Sequence, residues 1–192
     1  MPNLYIIAGC NGAGKTTASF TVLPEMLNCK EFVNADEIAR GLSPFQPEKV
    51  AIEAGKIMLS RIHELIKLKA DFAFETTLSA RHFVKVIDEA QNLGYFVTLI
   101  FLWLESKELA VERVKLRVNT GGHNIPYEVI INRYKMGIVN LFKLYIPICD
   151  YWMVLNNSIN PLKLVAEGLK ASEIDIKEKS IWNNIKMQAY EQ

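Results

Sequence analysis

Cysteine is scarce in this chain of 192 residues, which has three: Cys10, Cys29 and Cys149. Their number and spacing fit neither an even set of disulfides nor a C-x-x-C metal pair, so we expect reduced thiols and no zinc site. The longest wholly apolar run, residues 99–104, is six residues long, whereas a bilayer helix requires about 18. The first residues also lack the basic segment and long apolar core of a secretory signal. We therefore expect no membrane span and a cytoplasmic location.

An excess of charge of one sign is missing as well. The chain has 22 Lys and Arg against 21 Asp and Glu, a net charge of +1, so no overall field attracts nucleic acid or an anionic membrane. We predict no nucleic-acid partner. Half of the residues are apolar, which provides a large core and excludes intrinsic disorder. The length fits one domain, which we place at residues 1–170, with a helical tail at 171–192 packed on it or trailing it.

Short apolar segments alternate with segments of helical periodicity along the chain. The predicted strands are residues 4–8, 30–34, 71–76, 95–104 and 151–155. The predicted helices are residues 14–27, 48–69, 80–93, 106–118 and 127–145. Such alternation is typical of an α/β fold, here a five-stranded parallel sheet with helices on both faces. Ligands of such sheets bind at the carboxyl ends of the strands.

A phosphate-binding motif follows the first predicted strand. Residues 9–16 read G-C-N-G-A-G-K-T and match G-x-x-x-x-G-K-[ST] at every defined position. Strand, loop and helix agree with a P-loop NTPase, in which Lys15 contacts the β and γ phosphates of ATP and the Thr16 hydroxyl binds Mg²⁺. Cys10 lies inside this loop, and we favour a small packing residue over a redox switch. The residues expected to bind nucleotide are Gly9, Asn11, Gly12, Ala13, Gly14, Lys15, Thr16 and Thr17.

Two carboxylates lie at the carboxyl ends of the second and third predicted strands. Asp36 comes after the second, and a carboxylate at that edge of a kinase can accept the proton of the acceptor hydroxyl. Its alternative role is to cap the next helix. Glu75 ends the third strand and is a candidate for holding a Mg²⁺-bound water or an acceptor hydroxyl, or else a solvated charge. Thr76 and Thr77 are expected to add neutral hydrogen bonds to the acceptor.

Arginines flank a glycine-rich loop in a segment that we predict to be a lid, residues 113–133. Arg113 and Arg117 lie four residues apart on one helix, and Arg133 lies on the next. Arginines that close over the γ-phosphate stabilise the transition state of phosphoryl transfer, although surface ion pairs are the alternative. His123 is a candidate acceptor contact or a solvated loop residue. Residues 156–158, N-N-S, are candidates for reading adenine or ordinary turn residues.

These motifs resemble the zeta toxin family of P-loop kinases. The resemblance rests on residues 9–16, 34–37 (N-A-D-E), 74–78 (F-E-T-T-L) and 121–123 (G-G-H) with Arg133. It implies a five-stranded parallel sheet and ATP-dependent phosphorylation of a sugar hydroxyl on UDP-N-acetylglucosamine. Kinases of other nucleosides, sugars or antibiotics are alternatives, as is a switch that hydrolyses ATP without phosphorylating an acceptor.

The same resemblance implies roles for individual residues. Lys15 and Thr16 correspond to the nucleotide and Mg²⁺ contacts, Asp36 to the base and Glu75 to the second acidic position, while the lid arginines steady the phosphates. Two features differ from the well-known toxins. The first strand begins almost at residue 1, so we expect no preceding segment for an antitoxin to dock on, and the arginine spacing in the lid is different. The chain is more similar to compact zeta-like kinases found outside toxin operons.

Overall fold

A computed structural model describes residues 1–25, 27–119 and 125–190 of the chain. Its strands are β1 (Asn3–Ala8), β2 (Glu31–Val33), β3 (Phe72–Thr76), β4 (Phe96–Trp103), β5 (Tyr151–Asn156), β6 (Lys163–Leu169) and β7 (Asp175–Ile176). Its helices are α1 (Lys15–Glu25), α2 (Ala35–Leu42), α3 (Ala51–Leu68), α4 (Phe83–Asn92), α5 (Lys107–Asn119), α6 (Tyr127–Asn140) and α7 (Lys179–Tyr190). A 3₁₀ turn, Pro47–Val50, precedes α3, and a π-helical turn, Leu141–Tyr145, continues α6. Within these ranges no helix combines the length and apolar character that crossing a membrane requires.

The strands of the described residues form one sheet in the order β2-β3-β1-β4-β5-β6-β7. The first five are parallel, and β6 and β7 are antiparallel to their neighbours. From β1 the chain moves outward to β2, returns as β3 beside β1, and then crosses to β4 on the other side. A change of winding direction of this kind opens a crevice at the carboxyl end of the central strand. The phosphate-binding motif begins there, directly after β1.

The α/β fold is confirmed, but the prediction of five strands is wrong, since the sheet has seven. The strand β6 buries Val165, Ala166 and Gly168 but begins with Lys163 and contains Glu167, so it lacks the continuous apolar run of most predicted strands. The strand β7 has only two residues, Asp175 and Ile176, both exposed, and is too short to show a hydrophobic pattern. Helix α2 is also an addition, eight residues long, in a segment for which no element was predicted. Long-range pairing, rather than local pattern, creates the two strands, whereas α2 is a short helix capped locally by Asn34.

Two hydrophobic clusters pack the two faces of the sheet. Successive strand residues point to opposite faces, and accordingly Ile6 belongs to the larger cluster and Ile7 to the smaller one. Buried residues of α3, α4 and α6 fill the larger cluster, whereas Leu23 of α1 packs into the smaller. Helices therefore cover both faces, as predicted. The loops at the carboxyl ends of the strands are anchored on a buried, close-packed base.

The segment after residue 170 contributes β7 and α7. Trp182 of α7 stacks on Trp152 of β5, with ring centroids 5.6 Å apart and an interplanar angle of 11°, and its ring also lies 5.1 Å from Phe142. Gly168 of β6 allows this packing, because a Cβ there would lie 2.9 Å from the Trp152 ring. Helix α7 is thus held on the antiparallel end of the sheet. The domain division at residue 170 stays a prediction.

We expect Trp182→Ala to lower the free energy of unfolding by about 3–5 kcal/mol, since it deletes a buried aromatic ring and leaves a cavity against Trp152. Urea denaturation followed by circular dichroism measures this change. Met187→Ala is the matched control, because Met187 lies on the same helix and is half exposed. Equal, small effects of the two substitutions would show that α7 is not part of the cooperative unit.

Candidate functional site

The loop after β1 is a tight turn in which two glycines adopt a left-handed backbone conformation. Gly12 and Gly14 have φ of +80° and +81°, a region that L residues with a side chain rarely adopt. A Cβ on Gly12 would lie 2.7 Å from the Ala110 carbonyl oxygen, and one on Gly14 would lie 2.6 Å from the Asn157 amide nitrogen. Glycine is therefore required at both positions by conformation and by space. Inward-turned backbone N–H groups of this kind bind phosphate.

Hydrogen bonds from two side chains, one outside the loop and one within it, hold the loop in shape. Asn157, which follows β5, donates a hydrogen bond from Nδ2 to the Ala13 carbonyl at 2.7 Å. Lys15 Nζ donates to the Cys10 carbonyl at 3.0 Å. The Lys15 side chain is buried, although its ammonium group lines the crevice. Asn157 thus supports the phosphate loop, and its suggested role in reading adenine stays a prediction.

The carboxylate of Glu75 connects three parts of the site. It accepts hydrogen bonds at 2.8 Å from the Thr16 hydroxyl and at 2.8 Å from Asn34 Nδ2. Its other oxygen lies 3.4 Å from Lys15 Nζ, and both of these side chains are more than nine-tenths buried. A buried charge needs such partners to offset lost hydration. Glu75 is therefore a structural centre of the crevice rather than a solvated strand end.

The neighbouring oxygens of Thr16 and Glu75 fit Mg²⁺. A hydroxyl and a carboxylate are hard ligands of the kind that this cation prefers, usually with waters completing its shell. The two groups lie 2.8 Å apart at the mouth of the phosphate loop. The donor set therefore fits a nucleotide-bound Mg²⁺, and the predicted contacts, with Thr16 directly and with Glu75 through a water, stay predictions.

Asn34 caps α2, so capping is not the role of Asp36, whose role as the base stays a prediction. The Asn34 side-chain oxygen accepts from the backbone N–H of Asp36 at 2.8 Å and of Glu37 at 3.4 Å. The Asp36 carboxylate is not used as the cap. It lies exposed in the first turn of α2 and lines the crevice. Asn34 was not predicted as a site residue, although an Asn at the end of a strand and before an acidic residue is a helix-cap signal.

Two adjoining cavities meet at this crevice. The first, of about 160 Å³, follows the phosphate loop and is bordered by Asn11, Lys15, Thr16, Thr17, Arg113 and Arg117. The second, of about 400 Å³, lies between α2, α3 and the segment after β3. Both are lined by Asn11, Lys15, Asp36 and Glu75. We call the first the phosphate cavity and the second the acceptor cavity.

The predicted lid arginines divide between these cavities. Arg113 and Arg117 of α5 line the phosphate cavity, and an Nη of Arg113 donates to the Ser158 carbonyl at 3.3 Å. Arg133 of α6 lines the acceptor cavity and donates to Asn11 Oδ1 at 3.2 Å. His123 and the Gly-Gly pair before it lie outside the described residues. The lid as a moving unit stays a prediction.

The acceptor cavity combines apolar walls with polar groups. Thr76 and Thr77, which were predicted to contact the acceptor, line this cavity. Three residues that were not predicted also line the cavity: Lys56, Ser79 and His82. They belong to no motif, although Ser79 and His82 follow Glu75 by four and seven residues. Burial lowers the pKa of His82, so its imidazole is neutral at pH 7 and above and can donate as well as accept a hydrogen bond.

The thiols are buried and protonated. Burial raises the pKa of Cys10 to about 11, of Cys29 to about 11 and of Cys149 to about 12. Each raised value means that the thiolate, the reactive form, becomes abundant only near that high pH. Cys10 therefore packs inside the phosphate loop as an inert small residue, which favours the packing role over the redox switch.

We expect no cysteine to react with Ellman's reagent within minutes at pH 8, because about one thiol in a thousand is ionised three pH units below its pKa. Unfolding the protein with guanidinium chloride should make all three thiols reactive. The absorbance of the thiolate that the reagent releases measures the reaction in the native and in the unfolded protein. Rapid reaction of one thiol in the native protein, blocked by added nucleotide, would instead identify Cys10 as reactive.

Two substitutions of Asn34 separate its two contacts. Asn34→Ser keeps a cap on α2 but loses the donor to Glu75, whereas Asn34→Ala loses both. We expect Asn34→Ala to be less stable than Asn34→Ser by about 1 kcal/mol, the value of a helix cap. Urea denaturation measures that difference. Both variants should bind Mg²⁺-ATP several-fold more weakly in titration calorimetry, because Glu75 is less well fixed; unchanged affinity would make Asn34 a cap alone.

Comparison with known proteins places this site in a family. The sequence profile described as Zeta toxin matches residues 1–144 of the 192. An uncharacterized protein of Haemophilus influenzae is 31% identical over 127 residues, which make up 66% of this chain and 88% of that protein.

Solved structures share the fold at lower identity. A structure of AvrRxo1-ORF1:AvrRxo1-ORF2 with sulphate ions superposes with a TM-score of 0.77 at 17% identity, over 96% of this chain and 63% of that one. The present chain thus spans less than two thirds of the AvrRxo1 chain. The PezAT chromosomal toxin-antitoxin system of Streptococcus pneumoniae gives a TM-score of 0.63 at 19% identity, over 100% of this chain and 87% of that one. A gluconokinase from Sinorhizobium meliloti gives 0.52 at 11%, over 99% and 92%.

The solved structures show the P-loop kinase fold, and the sequence profile shows the family. The profile match covers more than half of the chain and includes the phosphate loop, Asp36 and Glu75. ATP, with Mg²⁺ as its usual companion, is the nucleotide of such kinases. The chain belongs to the Zeta toxin family of P-loop kinases.

Proposed function

We propose that this protein transfers the γ-phosphoryl group of ATP to a hydroxyl of a small molecule bound in the acceptor cavity. The observation that carries the proposal is the shared wall of the two cavities, formed by Asn11, Lys15, Asp36 and Glu75. A phosphoryl donor in one cavity and a hydroxyl in the other would meet at these side chains. Holding two reactants together in this way removes much of the entropic barrier to their reaction.

Cationic groups surround the place where phosphate charge would develop. Lys15 comes from the phosphate loop, Arg113 and Arg117 from α5, and Arg133 from the acceptor side. Phosphoryl transfer spreads charge over the equatorial oxygens of the moving group, so fixed cations stabilise the transition state. Mg²⁺ bound at Thr16 and Glu75 would supply further charge neutralisation. Closure of residues 113–133 would exclude water and so suppress hydrolysis of ATP.

The Asp36 carboxylate is the group proposed to take the proton. In the proposed reaction the acceptor hydroxyl oxygen bonds to the γ-phosphorus, the bond to the β–γ bridging oxygen breaks, and ADP leaves. The hydroxyl proton passes to Asp36. Its position supports this role, since it lines both cavities and Asn34 performs the capping of α2.

The acceptor cavity has the size and character of a small-molecule site. Its volume of about 400 Å³ lies within the range of about 300–1,000 Å³ usual for such sites. Apolar side chains of Ile52, Met58, Leu59 and Phe83 form part of its wall. UDP-N-acetylglucosamine is the first candidate acceptor, because the zeta toxin family suggests it. A nucleoside, another sugar or an antibiotic is the alternative.

A protein partner belongs to the proposal as well. The PezAT structure is described as a toxin-antitoxin system, and AvrRxo1-ORF1 was solved together with ORF2. By analogy we propose that an antitoxin-like protein can bind this chain. Size-exclusion chromatography of the protein expressed with the product of its neighbouring gene tests this, and separate elution of the two would contradict it.

Asp36→Asn tests the proposed chemistry. We expect the variant to bind ATP with nearly unchanged affinity and to transfer phosphate at least about tenfold more slowly, because a general base acts in the transition state. Mass spectrometry measures products about 80 Da heavier, the mass of one phosphoryl group, after incubation with Mg²⁺-ATP and a panel headed by UDP-N-acetylglucosamine. Glu37→Gln is the matched control, since Glu37 is the adjacent carboxylate and pairs with Arg40 on the surface.

Three other outcomes would contradict the proposed role of Asp36 or the kinase activity. Consumption of ATP by the wild-type protein with no heavier panel member would support an ATP-hydrolysing switch. Loss of ATP binding in Asp36→Asn would make that residue a structural or metal-binding group. Equal losses in Asp36→Asn and Glu37→Gln would show a nonspecific effect of charge removal on α2.

A further inference from the structure

A buried amide on α6 holds the polypeptide that forms one wall of the acceptor cavity. We call residues 77–80, which follow β3, the acceptor loop. The Asn140 side chain is 1% exposed, and its Nδ2 donates to the Leu78 carbonyl at 2.7 Å and to the Ser79 carbonyl at 3.1 Å. Leaving these carbonyls without donors in the interior would be costly. Asn140 therefore fixes the middle of the acceptor loop.

The neighbouring carbonyls of the acceptor loop also meet this helical segment. A Cβ on Gly137 would lie 2.6 Å from the Thr77 carbonyl oxygen, so α6 approaches the loop more closely than any residue with a side chain permits. The Tyr145 hydroxyl donates to the Ala80 carbonyl at 2.6 Å. All four carbonyls of the acceptor loop thus face the helix. Three of the loop residues, 77, 79 and 80, line the acceptor cavity.

The acceptor loop requires this support because its backbone is strained. Leu78 has φ of +55°, a conformation that costs about 1 kcal/mol or more for a residue with a side chain. Its side chain is fully buried, and its N–H donates to the Thr76 hydroxyl at 3.1 Å. Such a conformation persists when the surrounding contacts impose it. The contacts from α6 and Thr76 do so here.

The π turn brings Tyr145 to the loop. The Ile146 N–H bonds to the Leu141 carbonyl at 2.9 Å, five residues back, and a turn of this kind contains more residues than an α turn. Tyr145, five residues after Asn140, is thereby rotated toward the Asn140 face. Turns of this type in long helices are frequent at functional sites.

The same face of α6 reaches the phosphate loop. Arg133, Gly137 and Asn140 are spaced i, i+4 and i+7, which places them in one stripe. Arg133 donates to Asn11 at 3.2 Å, while the other two contact the acceptor loop. One rigid element therefore connects the two cavities.

We propose that Asn140 is a positioning residue for the acceptor, and that α6 sets the distance between the acceptor loop and the phosphate loop. The proposal rests on the proposed kinase function for its substrate and goes beyond it in assigning a residue that touches neither ATP nor the reacting atoms. The proposal predicts that loss of Asn140 disturbs acceptor binding far more than nucleotide binding.

Hydrogen exchange tests the structural part without any acceptor. Asn140→Ala should increase the exchange rates of the amides of the acceptor loop by about tenfold or more, because lost hydrogen bonds allow local opening, while amides of β1 stay unchanged. Gln91→Ala is the matched control. Gln91 is also an amide that donates to a carbonyl and a carboxylate, of Ile148 and Asp150, but at the amino end of β5. Unchanged exchange in the acceptor loop would overturn the proposal.

Kinetics test the functional part. With UDP-N-acetylglucosamine, or the panel member that gains a phosphoryl group, Asn140→Ala should raise the KM for the acceptor by about tenfold and change the KM for ATP by less than twofold. Tyr145→Phe, which keeps the ring and removes one donor, should act in the same direction more weakly and serves if Asn140→Ala does not fold. Equal changes in both KM values would indicate a general structural defect and overturn the proposal.

The proposed kinase function and the positioning role of Asn140 can be contradicted independently. If the wild-type protein phosphorylates nothing, the proposed function fails, and the exchange experiment still decides whether Asn140 holds the acceptor loop. If the wild-type protein is active and Asn140→Ala has normal acceptor kinetics, the kinase function is supported and the positioning role of Asn140 is contradicted.

Discussion

One buried carboxylate organises the crevice on which the rest of the site depends. Glu75 ends a strand that is buried on both faces, so its charge is stabilised by protein groups rather than by water. Those groups are Lys15 and Thr16 from the phosphate loop and the start of α1, and Asn34 from the start of α2. Because these partners come from two separate segments and Glu75 from a third, the charge of one side chain fixes the relative positions of all three before any nucleotide binds. This is electrostatic preorganisation obtained from the fold itself.

The parallel strand order explains why these segments meet. Residues 9–16, 34–36 and 157 directly follow β1, β2 and β5, while residues 75–80 form the carboxyl end of β3 and the loop after it. The carboxyl ends of parallel strands share one edge of the sheet. The outward and returning path around β1 then leaves room between the loops. Separate motifs that are far apart in sequence therefore face one crevice, and the two cavities within it follow from the same topology.

Local patterns allowed much of this to be predicted, and long-range contacts account for the rest. Five strands and the phosphate loop carry dense, contiguous signals, and the family was identifiable from them. The strand β6 depends on pairing with β5, and β7 on pairing with β6, and neither has a long continuous apolar run. Asn34 and Asn140 were missed for a related reason: an asparagine gives no periodic signal, and Asn140 contacts Leu78, 62 residues away. These two residues are too far apart in sequence for a local pattern to reveal their contact.

The two added strands also change how the sheet ends. Without them β5, a long and apolar strand, would form an edge with unpaired backbone groups, which is a template for pairing with another chain. With them the edges are β2 and β7, of three and two residues. Charged pairs stand beside both, Arg61 with Glu31 and Lys177 with Asp175. The antiparallel extension therefore protects this protein from edge-to-edge self-association, a role separate from any chemistry at the crevice.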